Sequence, residues 1–299
     1  MRAFSDRSFT ASSDSRPASD IGRRARLELV FAVRRGRTVL AHAYAEPPFR
    51  VGRLFEAGPV AHMILVCCGP GVFGGDRLEQ QVRVERGARV LLASQSALQI
   101  HPPSLTLRRP AVAVADAAAT SSRATLVSSY DIEPGGALDC FWDPVIPFAG
   151  AHLQQRVDIR IALDAELFWS DALMSGRAAR GEAWRFEALD HELRASVGGS
   201  LKYLERYSLV PRSRALSHTW SAHRANYVGT TLVYSTAATT ARAEEAQQRL
   251  PASDGLRAGI DCLAPNLLVG RLLAERGPQF ASARAVLRDV FGRPALRRT

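Results

Sequence analysis

The sequence predicts a mainly β protein with two stacked sheets, an all-β architecture leaning to α+β, and a few helices mostly towards the C-terminus. Segments with apolar residues at every second position recur from Ala25 to Ser235, as in strands with one buried face. Turn signals separate them at a spacing typical of sandwich or stacked-sheet proteins. Helical periodicity is confined to the region after Ala241.

The N-terminal segment does not share this pattern. Residues 1–22 are rich in Ser, Ala, Asp and Arg and lack periodicity. They cannot bury enough apolar surface to offset the entropy of ordering. We therefore expect a disordered, dispensable tail, followed by a single β-rich domain over residues 23–299.

The predicted strands follow one another with few interruptions. Two of them flank an Arg35-Gly36 turn, and the two on either side of Arg86-Gly87 are predicted to form a hairpin. In chain order, the strands are Leu27–Val33, Thr38–Tyr44, Leu78–Val84, Ala88–Leu92, Leu126–Tyr130, Ala137–Trp142, Leu153–Ile161, Glu166–Leu173, Trp184–Leu189, Glu192–Val197, Leu201–Leu209 and Val228–Ser235.

Two helices are predicted near the C-terminus. Ala241–Leu250 contains strong helix formers and stops before Pro251, and Phe280–Phe291 has an apolar stripe and ends at Gly292. The segment Asn266–Ala274 fits either a strand or a short helix, and its alternating residues favour the strand.

A glycine-rich turn imitates a nucleotide-binding motif. Gly69, Gly71 and Gly74 have the G-x-G-x-x-G spacing after a strand-like run. A dinucleotide fingerprint also requires a helix directly afterwards, with its N-terminus aimed at the pyrophosphate. Here the residues after Gly74 alternate with period two, so the pattern argues against a dinucleotide site.

The charge balance is basic but unusual. The formal net charge is +10, and Lys202 is the only lysine among 39 basic residues. Such a balance suggests an anionic partner, whereas a nucleic-acid binder would more often interleave its bases with stacking aromatic rings. The scattered arginines do not predict a nucleic-acid site.

The remaining composition suggests a reduced, cytoplasmic setting. The four cysteines match neither a disulfide framework nor a C-x-x-C metal pattern. No apolar run approaches the roughly 20 residues that span a bilayer, and the N-terminus lacks a secretory hydrophobic block. We expect no membrane association.

Catalytic signatures are missing from the sequence. It contains no G-x-S-x-G elbow and no H-E-x-x-H or cysteine–histidine signature, and its closest histidine pair is His218 and His223. The vicinal Cys67 and Cys68 fit a core residue next to a turn residue, or transient capture of a soft or borderline metal. We therefore predict that the protein is not an enzyme.

Five motifs in the same order resemble the urease accessory protein family UreD, called UreH in some organisms. They are GPGVFGGDRLEQQVRVERGARVLLASQSALQI, IEPGGALDCFWDPVIPFAGAHLQQRVDI, ELFWSDALMSGRAARGEAWRF, YVGTTLVYS and LRDVFGRPALRR. The resemblance extends from about Ala25 to the C-terminus. It implies a non-enzymatic scaffold that binds apo-urease and, with UreF and the GTPase UreG, inserts nickel into the urease active site.

The resemblance also implies a nickel passage and its residues. Family members are thought to pass nickel through an internal water-filled passage, and Asp143 and Glu182 match acidic motif positions of the family. Asp76 leaves the glycine turn and Glu79 lies three residues on, so both carboxylates are expected to approach one passing cation. Alternatively, Asp76 caps the turn with its side chain. Transient Ni²⁺ and no tightly bound cofactor are the resulting expectation.

A contact surface for UreF is expected on the last helix. Leu287 and Val290 lie on its apolar stripe, and we predict that they contact UreF. The competing hypothesis is an arginine-rich β module that binds an anionic partner and has no metal role.

Overall fold

A computed structural model describes residues 22–57, 60–103, 123–213 and 224–292 of the chain. Of these residues, 56% lie in strands and 12% in helices, so the prediction of a mainly β fold is confirmed. Residues 1–21 of the predicted tail, and His218 and His223, lie outside the described residues.

The strands are numbered β1 to β17 in chain order. They are β1 (Arg24–Arg34), β2 (Arg37–Ala45), β3 (Phe49–Ala57), β4 (Val60–Cys67), β5 (Arg77–Val84), β6 (Arg89–Ser94), β7 (Leu98–Ile100), β8 (Ala124–Ile132), β9 (Ala137–Phe141), β10 (Val145–Pro147), β11 (His152–Ile161), β12 (Glu166–Met174), β13 (Ala188–Val197), β14 (Ser200–Leu209), β15 (Tyr227–Tyr234), β16 (Leu256–Ala264) and β17 (Leu267–Ala274). The helices are α1 (Thr240–Arg249) and α2 (Gly277–Phe291), with a short 3₁₀ turn at Ala178–Arg180.

The strands form two sheets with a shared apolar core between them. The first sheet has the order β14-β13-β11-β8-β5-β1-β2, and the second has the order β16-β17-β15-β12-β9-β6-β4-β3 with β7 and β10 attached. The core contains Phe31, Val84, Leu138 and Leu232, all completely buried. Inward and outward residues alternate along β13, as expected for a strand with one covered face.

The middle of the chain winds between the two sheets. Strands β5, β8, β11 and β13 lie side by side in parallel in the first sheet, and β6, β9 and β12 do so in the second. Each short turn after β5, β8 and β11 therefore crosses from one sheet to the other. Two stacked amphipathic strands show the same period-two pattern as two paired strands, so the local sequence does not distinguish the two arrangements.

This winding corrects the predicted hairpin at Arg86-Gly87. Strand β5 belongs to the first sheet and β6 to the second, so the two face each other instead of pairing. The hairpin at Arg35-Gly36 is confirmed, because β1 and β2 pair antiparallel. The segment Asn266–Ala274 contains strand β17, as the alternation favoured.

Two predicted strands merge, and the four strands β3, β7, β10 and β16 were missed. The single strand β13 replaces the predicted strands Trp184–Leu189 and Glu192–Val197. Trp184 itself lies before β13 in a left-handed turn conformation with φ 55°. Strands β7 and β10 have only three residues each, too few to show an alternation. Strands β3 and β16 escaped prediction because Gly52 and Gly259 interrupt their alternation. Both are edge strands, where weak patterns are common.

The sandwich has two different ends. The turn end carries the tight crossings Glu85–Ala88, Glu133–Gly136 and Ala162–Ala165, which stack on one another through bonds such as Gly87 N–H to Pro134 O at 3.2 Å. The opposite end, here called the loop end, carries the longer connections Cys68–Asp76, Gln95–His101, Trp142–Ala151 and Ser175–Glu187.

Both helices cover the outer face of the second sheet. Phe280, Ala283, Leu287 and Val290 of α2 pack with Ala243 and Ala246 of α1 against the sheet residues Leu268 and Leu272. The two helices thus close a second apolar layer on the side of the second sheet that faces away from the first.

Candidate functional site

A cavity lined by both apolar and polar side chains lies between the sheets towards the loop end. Its volume is about 220 Å³, many times the ~10–15 Å³ that one water molecule requires. Side chains from both sheets line it, and two exposed residues of the loop end, Pro70 and Gln99 of β7, form part of its wall. The cavity therefore opens at the loop end of the sandwich.

The first sheet contributes neutral polar groups and one imidazole. Gln155, His191 and Tyr207 are register partners on β11, β13 and β14, so they form one row across the sheet. His191 is 5% exposed, its ring stacks on Tyr207 with 4.8 Å between centroids, and its Nδ1 lies 3.3 Å from Gln155 Oε1. The row holds the imidazole in a fixed orientation facing the second sheet.

A second polar pair lies beside this row. Gln80 and Ser128 are register partners on β5 and β8, and both line the cavity. Gln80 Nε2 donates a 2.8 Å hydrogen bond to the hydroxyl of Tyr130, which is buried below. Amides and hydroxyls thus continue the polar surface across the first sheet.

The second sheet contributes two carboxylates. Asp171 on β12 and Asp143 after β9 both line the cavity. Asp143 N–H donates to Ser94 Oγ at 2.7 Å, and Ser94 Oγ–H donates back to Asp143 Oδ2 at 3.0 Å. Trp169 Nε1–H donates to Asp171 Oδ2 at 3.1 Å. Each carboxylate is therefore anchored by a neighbour and has oxygen capacity left for a guest.

Asp171 sits in an electrostatically unusual position. Its side chain keeps some accessible surface, but that surface faces the cavity, and protein surrounds it on the other sides. Burial raises the pKa of Asp171, and the nearby His191 partly offsets this effect. The carboxyl is thus less acidic than an exposed aspartate, which weakens its hold on any cation.

A buried arginine lies behind the two carboxylates. Arg284 of α2 donates to Trp142 O at 2.8 Å and to Ser170 Oγ at 3.1 Å, and its guanidinium lies 4.0 Å from the centroid of the Phe141 ring. Burial lowers the pKa of Arg284 to about 10, while Asp171 and Asp143 act in the opposite direction. Its positive charge further limits cation affinity in the cavity.

The glycine turn forms one side of the cavity mouth. Gly71 has φ 127°, and a Cβ at this position would meet Gln99 O at 2.3 Å, so only glycine fits this close approach. Strand β5 follows Gly74 directly after the turn, as the alternating pattern predicted. The glycines therefore position a wall of the mouth and lack the helix that a pyrophosphate site needs.

Asp76 has a bonding role in the turn. Its carboxylate accepts from Arg23 N–H at 2.8 Å, from Phe73 N–H at 3.0 Å and from Arg23 Nη2 at 3.1 Å, and the residue is 6% exposed. These bonds match the alternative in which Asp76 caps the turn. It also ties the turn to the start of the first strand.

Glu79 points away from Asp76. It lies on β5 next to the inward residues Leu78 and Gln80, so alternation places it on the outer face. There it accepts from Arg77 Nε at 2.6 Å. The structure does not bring the two carboxylates onto one cation, because residues three apart on an extended strand face opposite sides.

Asp143 and Glu182 lie in different places, one in the cavity lining and the other outside it. Asp143 lines the cavity, whereas Glu182 follows the 3₁₀ turn and is bound by Arg177 through Nε at 2.7 Å and Nη2 at 2.6 Å. Hydrogen bonds from Arg177 lower the pKa of Glu182. Of the four predicted acids, Asp143 alone is part of the cavity lining.

Rings connect the loop end. The Phe73 ring stacks on His101 at 4.6 Å, His101 meets the edge of Phe148 at 4.7 Å, and the Arg177 guanidinium lies over Phe148 at 4.0 Å. Glu182 is thus joined, through Arg177, to the loops around the mouth. As a group near the mouth it stays a predicted member of a cation path.

Leu287 and Val290 are buried residues of the helical layer. Leu287 is 0% exposed and Val290 is 1% exposed. Both pack between α2 and the second sheet. A charged substitution at either position would therefore test core packing before it tests a partner contact, and the predicted contact with UreF stays a prediction.

The sequence reasoning missed His191 as a cavity residue and did not select Asp171. The available signal was the alternation of β13, which places His191 among inward residues, and the acid two residues after Trp169 in a mostly apolar strand. A polar residue at an inward position of a predicted strand is the pattern that could have found both.

No tight metal cage is formed by the described residues. Among them, no group of three or more His, Cys, Asp or Glu is placed to hold a metal ion. The four cysteines form no disulfide, and burial raises the pKa of the Cys67 thiol. The cavity therefore offers isolated oxygen and nitrogen donors.

Within the described ranges, neither helix is both long and apolar enough to cross a membrane. The fold and the cavity define a class: a two-sheet β protein whose strands wind around a partly polar internal cavity. The chain belongs to the UreD urease accessory protein family, whose profile it matches over residues 23–299.

Individual relatives agree with this assignment. A protein of Sorangium cellulosum, named urease accessory protein UreD, is 35% identical over 63% of this chain and 55% of its own length. Proteins with the same name from Cupriavidus necator (30% identical, over 89% of this chain and 87% of theirs) and Lysinibacillus sphaericus (26%, over 84% and 88%) align more completely. The chain thus spans about half of the first relative and most of the other two.

Proposed function

We propose that this protein acts in urease maturation as a non-enzymatic scaffold. It binds apo-urease and, together with UreF and UreG, mediates the insertion of nickel into the urease active site. Membership of the UreD family supports the maturation role. The partly polar cavity is the single observation that carries the mechanistic part of the proposal, because sandwich interiors are ordinarily filled with apolar side chains.

In this proposal, Ni²⁺ is cargo that moves through the cavity with part of its water shell. Nickel is a borderline cation that accepts both imidazole nitrogen and carboxylate oxygen. Asp143, Asp171 and His191 supply such donors, and the amides and hydroxyls of the first sheet can bind the remaining waters.

Weak binding suits a protein that must release its cargo. Three features keep the affinity low: among the described residues no three such donors are placed around one ion, the pKa of Asp171 is raised by burial, and Arg284 adds a positive charge behind the carboxylates. A cage of several histidines and cysteines would hold the ion instead. We place this activity in the cytoplasm, without nucleic acid or membrane partners.

Narrowing the cavity tests this role. Ser128 lines the cavity, and the neighbouring Ser129 lies on the outer face of the same strand. The Ser128→Leu variant fills part of the passage, so we expect at least a fivefold loss of urease activation in a mixture of apo-urease, UreF, UreG, GTP, bicarbonate and nickel. The Ser129→Leu variant makes the same substitution outside the cavity and should activate like wild type.

The measurement combines three quantities on each variant: melting temperature, yield of the assembled complex, and nickel content of the urease. Full nickel content with the Ser128→Leu variant in an intact complex would contradict passage through the cavity. A fall in nickel content with both serine variants would indicate general damage to the scaffold.

Salt dependence separates this proposal from the arginine-rich module. A protein that binds a polyanion loses affinity steeply between low and moderate salt, because counterions are released on binding. A scaffold that holds its partners through apolar surface changes little. A loss of complex on the order of 10³-fold between 50 and 200 mM salt would favour the module.

A further inference from the structure

The open edge of the sandwich carries an ionic cluster. Strand β14 ends the first sheet, and β17 lies opposite, near the end of the second sheet. Between them lie Tyr203, Glu205, Thr230 and Arg271, here called the edge cluster. Thr230 belongs to both the cluster and the cavity lining, so the cluster borders the cavity directly.

The cluster is fully connected by hydrogen bonds. The Arg271 guanidinium pairs with Glu205 and also donates to Thr230 Oγ1 at 3.0 Å and to the Tyr203 hydroxyl at 2.7 Å. Both hydroxyls in turn donate to Glu205 Oε2, the Tyr203 hydroxyl at 3.1 Å and the Thr230 hydroxyl at 3.2 Å. The guanidinium therefore has a fixed position.

The strand registers place the cluster next to the donors of the cavity. Asp171, Thr230 and Arg271 are register partners in one row across β12, β15 and β17. Asp171 lines the cavity at one end of this row, and Arg271 stands at the sandwich edge at the other end. A cation that left the cavity sideways would have to pass the guanidinium.

The two charges differ in their exposure. The side chain of Glu205 is 4% exposed, whereas that of Arg271 is 45% exposed. The negative group thus lies inside the edge and the positive group lies on its solvent side. Stability alone does not demand this arrangement, because buried ion pairs contribute little compared with apolar residues of similar volume.

We propose that Arg271 closes the lateral edge of the cavity to cations. Its guanidinium occupies the gap between the sheets, repels a positively charged guest and neutralises Glu205, which would otherwise attract one. The identity of the guest as a divalent cation rests on the proposed function. The closure itself is a property of the edge cluster and can be measured without nickel.

Quenching of tryptophan fluorescence by Cs⁺ and by neutral acrylamide tests the closure. Trp169 lines the cavity and is 2% exposed, and its signal is the part that disappears in a Trp169→Phe variant. In the full-length Arg271→Met variant, we expect the Cs⁺ quenching constant of Trp169 to rise at least threefold, and the acrylamide constant to rise less.

Two control variants sharpen the test. Arg271→Lys keeps a positive charge at the edge and should quench like wild type with Cs⁺. Arg206 on the outer face of β14 pairs with Glu192 at 2.7 Å, so Arg206→Met removes an arginine from the same strand without touching the cavity. It should leave both quenching constants unchanged.

Two results would overturn the proposal: unchanged Cs⁺ quenching in Arg271→Met, or an equal rise with Cs⁺ and acrylamide, which indicates looser packing alone. Circular dichroism checks that the variant is folded. If Arg271→Met does not fold, Arg271→Gln retains hydrogen-bond donors without charge and is judged by the same two criteria.

The result is also separable from the proposed function. If Ser128→Leu leaves urease activation intact, nickel does not use the cavity, yet the Cs⁺ measurement still decides whether Arg271 closes the edge. If nickel does use the cavity, Arg271→Met should increase the nickel captured by an external chelator during activation by at least twofold.

Discussion

The turn end and the loop end of this sandwich are made from the same strands but are filled differently. At the turn end, aliphatic residues such as Val84, Ile132 and Ile161 fill the space between the sheets. Towards the loop end, the corresponding rows contain Gln80, Gln155 and His191, and a cavity lies between them. Buried apolar residues such as Leu153 and Phe186 also pack at the loop end, so the two ends differ in the partly polar cavity that interrupts the packing towards the loop end.

Core truncation at the turn end should have the largest effect. Leu138 is 0% exposed in the shared core, and removing such a side chain costs roughly 2–5 kcal/mol because a cavity is left behind. The Leu138→Ala variant should lose that much free energy of unfolding in urea titrations. Gln155→Ala at the cavity should lose less than about 1 kcal/mol, since water can fill the space.

An equal loss in the two variants would break the comparison, because it would mean that the polar rows contribute to packing as much as the aliphatic core does. The slope of the urea transition serves as the control. It should stay the same in both variants, which shows that the free energies refer to the same unfolding reaction.

The acids of the loop end should separate into bonded and exposed classes. Asp76→Ala leaves the main-chain N–H groups of Arg23 and Phe73 without their acceptor, so we expect a loss of about 2 kcal/mol. Glu79→Ala removes a single exposed pair with Arg77 and should stay within about 0.5 kcal/mol of wild type. Thermal unfolding of the two single variants measures both.

If instead both variants keep their melting temperature but lose nickel-dependent urease activation, the two acids belong to the cation path after all. The double variant adds a useful check. Its loss of stability should equal the sum of the single losses, because the two carboxylates have separate partners.

Asp171 should show a smaller effect than Asp76, and with the opposite sign. Burial raises its pKa in the folded protein, so its stabilising contribution is present at acidic pH and is lost as the pH rises through the folded pKa. Asp171→Asn should therefore raise the stability at pH 8 by about 1 kcal/mol. The gain should shrink as the pH falls and the wild-type carboxyl takes up its proton.

Asp158→Asn is the matched control, because Asp158 lies on the outer face of β11 between the inward Val157 and Ile159. It should change the free energy of unfolding at pH 8 by less than about 0.5 kcal/mol, as an outer-face substitution ordinarily does. A destabilised Asp171→Asn variant at pH 8 would show that the carboxylate supports the fold, and would remove the contrast between the two ends at this position.

The sequence predicts the turn end better than the loop end. Period-two alternation identifies strands such as Leu153–Ile161 and their buried faces, and late helical periodicity identifies both helices. The pairing of the strands cannot be predicted in this way, because the sequence around the Arg86-Gly87 turn is the same whether its two strands pair in one sheet or face each other from two sheets. Only long-range contacts decide between the two, and these involve residues far apart in the chain.

The site was predictable only in part, for a related reason. Asp143 was found through a motif, and it does line the cavity. Asp76 and Glu79 are close in sequence but point to opposite faces, whereas Asp171 and His191 are distant in sequence and face each other across the sheets. Sequence proximity is a poor guide to side-chain proximity where strands alternate their faces.

The winding of the chain has a consequence for the two lateral edges of the sandwich. A coil of parallel strands could in principle continue indefinitely, and its last strand would expose an unpaired edge that can recruit other chains. Here antiparallel hairpins terminate the coil on both sides: β1–β2 and β3–β4 at one, and β13–β14 and β16–β17 at the other. These four hairpins act as end caps, and a chain truncated after Val197 would lack two of them and should self-associate.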